Sequence, residues 1–192
     1  TIKDSPSNKP WVVLDGYHFD DVYQLEIKKN DTSLLVIDDM AHLNHYVADI
    51  ILNQNINAAA LSYSCEPGSK FLLGTDYVLL RDEFLTYKNW EREAPNVAKK
   101  ILITMGGSDR DNVSLKFLES LNQVDIKGLE IKVVVGPNNL HLDSLKKASH
   151  KSKHNTFILQ NVSNMSEIMA EADIAVSAAG STSWELAFMG IP

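Results

Sequence analysis

The chain has one cysteine, Cys65, so it carries neither a disulfide framework nor a CxxC zinc site. It has no run of eighteen apolar residues and therefore no sequence signal for a membrane-spanning helix. An excess of basic charge is also missing: 18 Lys and Arg face 25 Asp and Glu, a net charge of −7, which argues against a nucleic-acid scaffold. Fixed-period repeats and low-complexity tracts are absent. The opening TIKDSPSNKPW reads as neither a secretory signal nor a basic transit peptide, and a cytoplasmic location is expected. None of these absences prevents folding. A chain of 192 residues can bury about 70% of the surface its unfolded form exposes, so a core needs no metal or disulfide.

Hydrophobic residues at 44% and charged residues at 22% are the proportions of an ordinary globular chain. The acidity is uneven. Residues 1–96 hold 8 Lys and Arg against 15 Asp and Glu, whereas residues 97–192 hold 10 of each. An anionic ligand is repelled less by the second half. That half also holds Gly106, Gly107, Gly136, Gly180 and Gly190, most of them directly after apolar runs.

Short aliphatic runs alternate with helix-like stretches. Trp11–Asp15 and Leu34–Asp38 read as strands, with a helix over Asp20–Lys29 between them, where the pairs Val22/Leu25 and Tyr23/Ile27 have helical spacing. Asp49–Leu52 and Tyr77–Leu80 are shorter strand candidates, and Thr86–Lys99, polar and containing Pro95, reads as a linker between lobes. Beyond it, strands at Ile101–Met105, Ile131–Val135, Thr156–Leu159 and Ile174–Ser177 each precede a helix, at about 110–122, 140–150, 163–171 and 182–189. Strands alternating with helices of two or three turns predict βα units and a parallel sheet. Both ends look cut, and a piece of a longer enzyme is expected.

Two turns have the composition of phosphate sites. Met105-Gly106-Gly107-Ser108-Asp109 lies between a strand and a helix, where open parallel sheets bind ligands and where glycines let a phosphate approach the backbone. It is neither GxGxxG nor GxxxxGK, so it signals no dinucleotide or P-loop site. A tight βα turn with Asp109 as helix cap explains the same residues. Ala178-Ala179-Gly180-Ser181-Thr182 repeats the arrangement, with Ser181 or Thr182 as the expected cap and Glu185 about one turn into the helix. There a carboxylate can accept hydrogen bonds from the vicinal hydroxyls of a ribose, or simply complement the helix dipole.

The first half offers polar clusters. Asp38-Asp39 after a strand suits a divalent cation, or one cap and one solvated charge. Asp38 and His42 are four apart, as are His45 and Asp49; they read as a conceivable metal cluster or as helical surface pairs. Asp49, Asn53 and Asn55 are polar enough to line a cleft. Asp15-Gly16-Tyr17-His18 puts an acid, a phenol and an imidazole at a strand end, as a functional cluster or as a turn in which Asp15 caps and Tyr17 packs. Cys65 reads as structural, and Phe84 and Trp90 as packing between lobes.

The order of motifs resembles a known family. DGYHFD (15–20), IDDMAH (37–42), ADIILNQN (48–55), YVLLRDEF (77–84), ILITMGGSDRDN (101–112) and ADIAVSAAGSTSWELAFMGIP (172–192) resemble the UDP-2,4-diacetamido-2,4,6-trideoxy-β-L-altropyranose hydrolases of pseudaminic acid biosynthesis and their spore-coat polysaccharide relatives. The resemblance implies an α/β protein of two Rossmann-like lobes of GT-B type, the N-terminal lobe incomplete and the C-terminal lobe truncated. The second lobe is similar to that of the lipid II-forming GlcNAc transferase. Residues 1–92 would be the second half of the first lobe and 93–192 the UDP-binding lobe. The diphosphate would lie near Gly106, Gly107, Ser108, Gly180 and Ser181, the ribose at Glu185, and the sugar near Tyr17, the candidate catalytic residue. The implied partner is a UDP-sugar substrate, with no nucleic acid, no metal and no cofactor. The family's catalytic histidine stands in a glycine-rich GxGH loop that this sequence does not contain, so the chain alone is expected to bind UDP and to be a negligible hydrolase.

Overall fold

The computed structural model describes residues 9–192, which divide after Leu79 into two compact units. Each is built on a four-stranded, wholly parallel sheet.

In the first unit, β1 (Trp11–Asp15), α1 (Asp21–Lys28), β2 (Ser33–Ile37), β3 (Ile50–Asn53) and β4 (Lys70–Leu73) follow one another, and the strands lie side by side in chain order. Asp20 starts α1 by accepting the Tyr23 N–H at 2.8 Å, an N-cap that satisfies one otherwise orphaned donor. Leu14, Leu34, Val36, Tyr46, Ala48 and Ile51 form the core. On α1 the apolar spacing misleads: Val22 and Leu25 are exposed, and the buried residue is Gln24, whose Oε1 accepts the Val47 N–H at 2.9 Å. The strand expected at 77–80 is not one. Thr75–Tyr77 is a single 3₁₀ turn, and the fourth strand comes earlier, at Lys70–Leu73.

The second unit runs β5 (Lys100–Thr104), α2 (Val113–Leu121), β6 (Glu130–Val135), α3 (Leu142–Lys151), β7 (Asn155–Gln160), α4 (Met165–Glu171), β8 (Ile174–Ser177) and α5 (Thr182–Phe188). The strand order is β7-β6-β5-β8. The chain moves outward from β5 to β7, then returns to add β8 on the other side of β5. This reversal opens a crevice at the carboxyl ends of the strands, the place where open α/β sheets bind ligands. Ile103, Ile131, Val133 and Val135 pack one sheet face against Leu118 of α2 and Leu145 of α3. On the other face Leu102 packs with Met165, Ile168, Met169 and Leu186.

Residues 80–92 belong with the second unit, so the division falls before the expected boundary at 92/93, and the start of the supposed linker is packed. Phe84, in the 3₁₀ helix Asp82–Tyr87, is fully buried in the core with Leu102 and Met169. It therefore packs inside this unit rather than as the lobe-to-lobe contact expected of it. Glu83 Oε2 accepts the Ser166 N–H at 3.1 Å. Arg92 lies over the Trp90 ring, 4.9 Å from its centroid, and donates to the carbonyls of Met169 at 2.7 Å and Met189 at 3.0 Å, and also to that of Ala172. These are helix-end carbonyls, which otherwise lack intrahelical partners.

Candidate functional site

The loop after β5 is held open by backbone geometry. Gly106 has φ +75°, a conformation that L side chains rarely adopt. The close approach is made by Gly136, after β6: a Cβ there would stand 2.2 Å from the carbonyl oxygen of Gly107. A Cβ on Gly107 would meet nothing within 4 Å, so Gly107 itself faces open space. The N–H groups of Gly106, Gly107 and Ser108 have no hydrogen-bond partner among the described residues.

The start of α2 is not open in the same way. The Asp109 carboxylate accepts the N–H of Val113 at 2.7 Å and of Ser114 at 3.0 Å. Asp109 thus caps the helix through its side chain, although Asn112 occupies the capping position. The first donors of α2 already face a negative charge, so the free N–H groups here are those of the loop rather than of the helix end. At the second turn, Ser181 stands at the start of α5 but makes no side-chain cap, contrary to expectation.

A cleft of about 240 Å³ opens at the strand ends, and its walls include Gly106, Gly107, Gly136, Thr182, Glu185 and Arg81. Ser108, Gly180 and Ser181 are not among the described residues that line it. Nucleotide-sized pockets usually exceed about 300 Å³, so this volume suits part of a nucleotide rather than all of one. A larger groove of about 670 Å³ runs along β6, β7 and α4, but it is lined by Glu130, Glu167 and Glu171 with only Lys132 in opposition, a poor host for a diphosphate.

Arg81 is the residue that motif reading passed over. Its Nε donates to Glu185 Oε1 at 2.8 Å, and its Nη1 stands 2.7 Å from Glu83 Oε1. The hydrogen bond to Glu185, then the two carboxylate charges, raise the guanidinium pKa against the opposing effect of burial. Glu185 is buried, so the pair sets a cation at the rim and a carboxylate with one committed oxygen inside. The available signal was YVLLRDEF itself, an arginine in the segment just before the second sheet.

Tyr17 lies in the first unit, in the turn after β1, and its hydroxyl donates to Asp39 Oδ1. That bond, with burial and the nearby acids, pushes the phenol pKa up to about 12. Asp38 and Asp39 diverge. Asp38 is buried, and its Oδ1 accepts the N–H of Met40 at 2.7 Å and of Ala41 at 2.8 Å. Its Oδ2 contacts His42 Nδ1 and the Tyr46 hydroxyl, each at 2.5 Å. Residues 38–45 form a loop, so the spacing of Asp38 and His42 is not helical and theirs is not a surface pair. His45 instead contacts Ser64 and Glu66, and Asp49 holds Lys28 at 2.6 Å. Among the described residues no group of three or more His, Cys, Asp and Glu could hold a metal ion.

Residues 100–192 match the glycosyltransferase family 28 C-terminal domain. The whole chain is 30% identical to an uncharacterized protein of Methanocaldococcus jannaschii, covering 41% of it. Over 85% of the chain there is 22% identity to the spore coat polysaccharide biosynthesis protein SpsG of Bacillus subtilis, 48% of which is covered. Over 95% there is 26% identity to a Helicobacter pylori protein named pseudaminic acid cytidylyltransferase and UDP-2,4-diacetamido-2,4,6-trideoxy-beta-L-altropyranose hydrolase, with 32% of it covered. The chain thus spans less than half the length of these curated relatives. In structure it is similar to MurG of Acinetobacter baumannii, with a TM-score of 0.52 at 15% identity over 88% of this chain and 46% of that one. Among the described residues no helix is long and apolar enough to cross a membrane. The chain is an α/β protein of parallel sheets, similar in fold to MurG, and its residues 100–192 are similar to the glycosyltransferase family 28 C-terminal domain.

Proposed function

We propose that the second unit binds the UDP moiety of a UDP-linked sugar, and that the enzyme to which this chain corresponds hydrolyses the anomeric C–O bond of a deoxy-diacetamido sugar nucleotide. The carrying observation is the Arg81 guanidinium beside a glycine-lined cleft at the strand-order reversal. A cation, unpaired loop N–H groups and a glycine at positive φ together suit a diphosphate. The name of the Helicobacter pylori relative supports the hydrolase reading and the sugar class. Water attacks the anomeric carbon, the bond to the diphosphate oxygen breaks, and UDP leaves with the electron pair. Arg81 and the loop N–H groups offset the charge that develops on the diphosphate. Glu185 keeps Oε2 for the ribose hydroxyls while Oε1 holds Arg81. Tyr17, in the first unit, is the proposed catalytic residue, and with its pKa pushed up to about 12 its hydroxyl stays protonated well above the pH at which a free phenol ionises.

A glycosyltransferase on the same fold is the second reading, favoured by the family 28 match. Release of UDP from a UDP-sugar without any acceptor separates hydrolase from transferase. The ribose assignment has its own test. Wild type should bind 2′-deoxy-UDP roughly tenfold or more weakly than UDP, as expected when a charge-assisted hydrogen bond of about 1.5–3 kcal/mol is lost. Equal affinities in calorimetry remove Glu185 from that role.

A further inference from the structure

The Arg81 guanidinium is held from several sides by groups of its own unit, which runs from Leu80 to Pro192. Arg81 stands directly before the 3₁₀ helix Asp82–Tyr87, whose Phe84 is fully buried, and its guanidinium carbon lies 5.2 Å from the centroid of that ring. Nε donates to Glu185 Oε1 at 2.8 Å, and Nη1 stands 2.7 Å from Glu83 Oε1. Nη2 has no partner among the described residues, and the side chain is half exposed at the wall of the cleft. Two of the three nitrogens are committed to protein, and the third keeps its donors for a ligand. Arg92 differs: all three of its nitrogens donate to backbone carbonyls. Glu83 is committed twice. Its Oε1 meets Arg81, and its Oε2 accepts the Ser166 N–H at 3.1 Å, at the start of α4. Asn164, in the capping position of α4, makes no side-chain cap, so Glu83 satisfies a donor that the helix leaves open. Ser166 is buried, which fixes the far end of the bridge.

We propose that Glu83 is a positioning residue for anion binding by the second unit, holding Nη1 so that Arg81 presents its remaining nitrogen to the diphosphate of a nucleoside diphosphate. The proposal rests on the nucleotide reading of the cleft and adds to it a residue that acts through Arg81. Glu83 and Glu185 hold different nitrogens of one planar group, so together they set the orientation of its fork. A phosphate then meets a cation whose rotamer is already chosen, and less ordering remains for binding to impose. The opposing effect is electrostatic. A carboxylate that merely stands near an anion site weakens binding, and its removal strengthens it. Removal of a positioning group does the reverse, so the sign of the change separates the two roles.

Calorimetric titration of UDP into residues 1–192 tests this as a double-mutant cycle over Glu83→Gln and Arg81→Gln. Glutamine keeps one oxygen for the Ser166 N–H and lacks the second that meets Arg81, so the helix cap survives and the hold on the guanidinium is lost. Glu83→Gln should bind UDP about three- to thirtyfold more weakly than wild type, the span of coupling within one ion-pair network. In the Arg81→Gln background the same substitution should change affinity by less than about twofold. Unchanged or tighter UDP binding by a folded Glu83→Gln overturns the proposal, as does an equal loss in both backgrounds. Where Glu83→Gln does not fold, Glu83→Asp, too short to span both partners, is read in the same cycle with the same outcomes. If wild type does not bind UDP, or Arg81→Gln binds it as tightly as wild type, the nucleotide reading fails and takes the proposal with it. A weakened Arg81→Gln beside an unaffected Glu83→Gln sinks the proposal alone.

Discussion

At the scale of single residues, glycines that look alike in the sequence do different work. Gly107 borders open space, so Gly107→Val should fold normally and lose UDP, because the branched side chain fills the cleft. Gly136 touches backbone, so Gly136→Ala should instead destabilise the second unit by about 1–3 kcal/mol, the usual cost of an overpacked contact. Thermal unfolding and UDP calorimetry on both variants check the contrast. Reversed phenotypes would place the close approach on the wrong glycine. Asp38 adds a pH signature. Its carboxyl is held below the ordinary value, so its stabilisation is complete above the unfolded-state pKa of about 3.9 and is lost as pH falls below it. Urea unfolding followed by fluorescence should show the wild type losing this increment below about pH 4, and Asp38→Asn showing less loss there. The motif reading singled out Gly106, Gly107 and Glu185, which line one cleft, because strand–glycine–helix order leaves a mark in the sequence. It passed over Arg81 and the set of donors around Asp38, because partners brought together by tertiary packing leave no spacing signature.

At the scale of elements, the strands of the second unit were legible and residues 80–92 were not. Apolar runs between polar helices mark buried parallel strands, and all four of this unit lie where the pattern places them, within a residue or so at each end. Residues 80–92 have no period because their anchors are individual: Phe84 in a core and Arg92 on helix-end carbonyls. The same reasoning explains α1, where one hydrogen-bonded Gln24 is buried and the apolar side chains beside it are not. Phe84→Ala should cost about 3–5 kcal/mol, the range for removing a fully buried aromatic ring. Denaturant unfolding measures it. A loss below about 1 kcal/mol would mean that this segment is a linker after all.

At the scale of the whole molecule, charge and topology agree on where an anion belongs. The acidic excess lies in the first half, while the balanced second half carries the strand-order reversal and the glycine loop, to which Arg81 is added from the segment that opens the second unit. Whether this cleft holds UDP, as proposed, is decided by calorimetric titration of UDP into wild type and Arg81→Gln. Wild type should bind UDP saturably, and a folded Arg81→Gln should bind it roughly tenfold or more weakly, as expected for one charge-assisted hydrogen bond. UDP binding that is absent in wild type, or unchanged in the folded variant, would contradict the proposal.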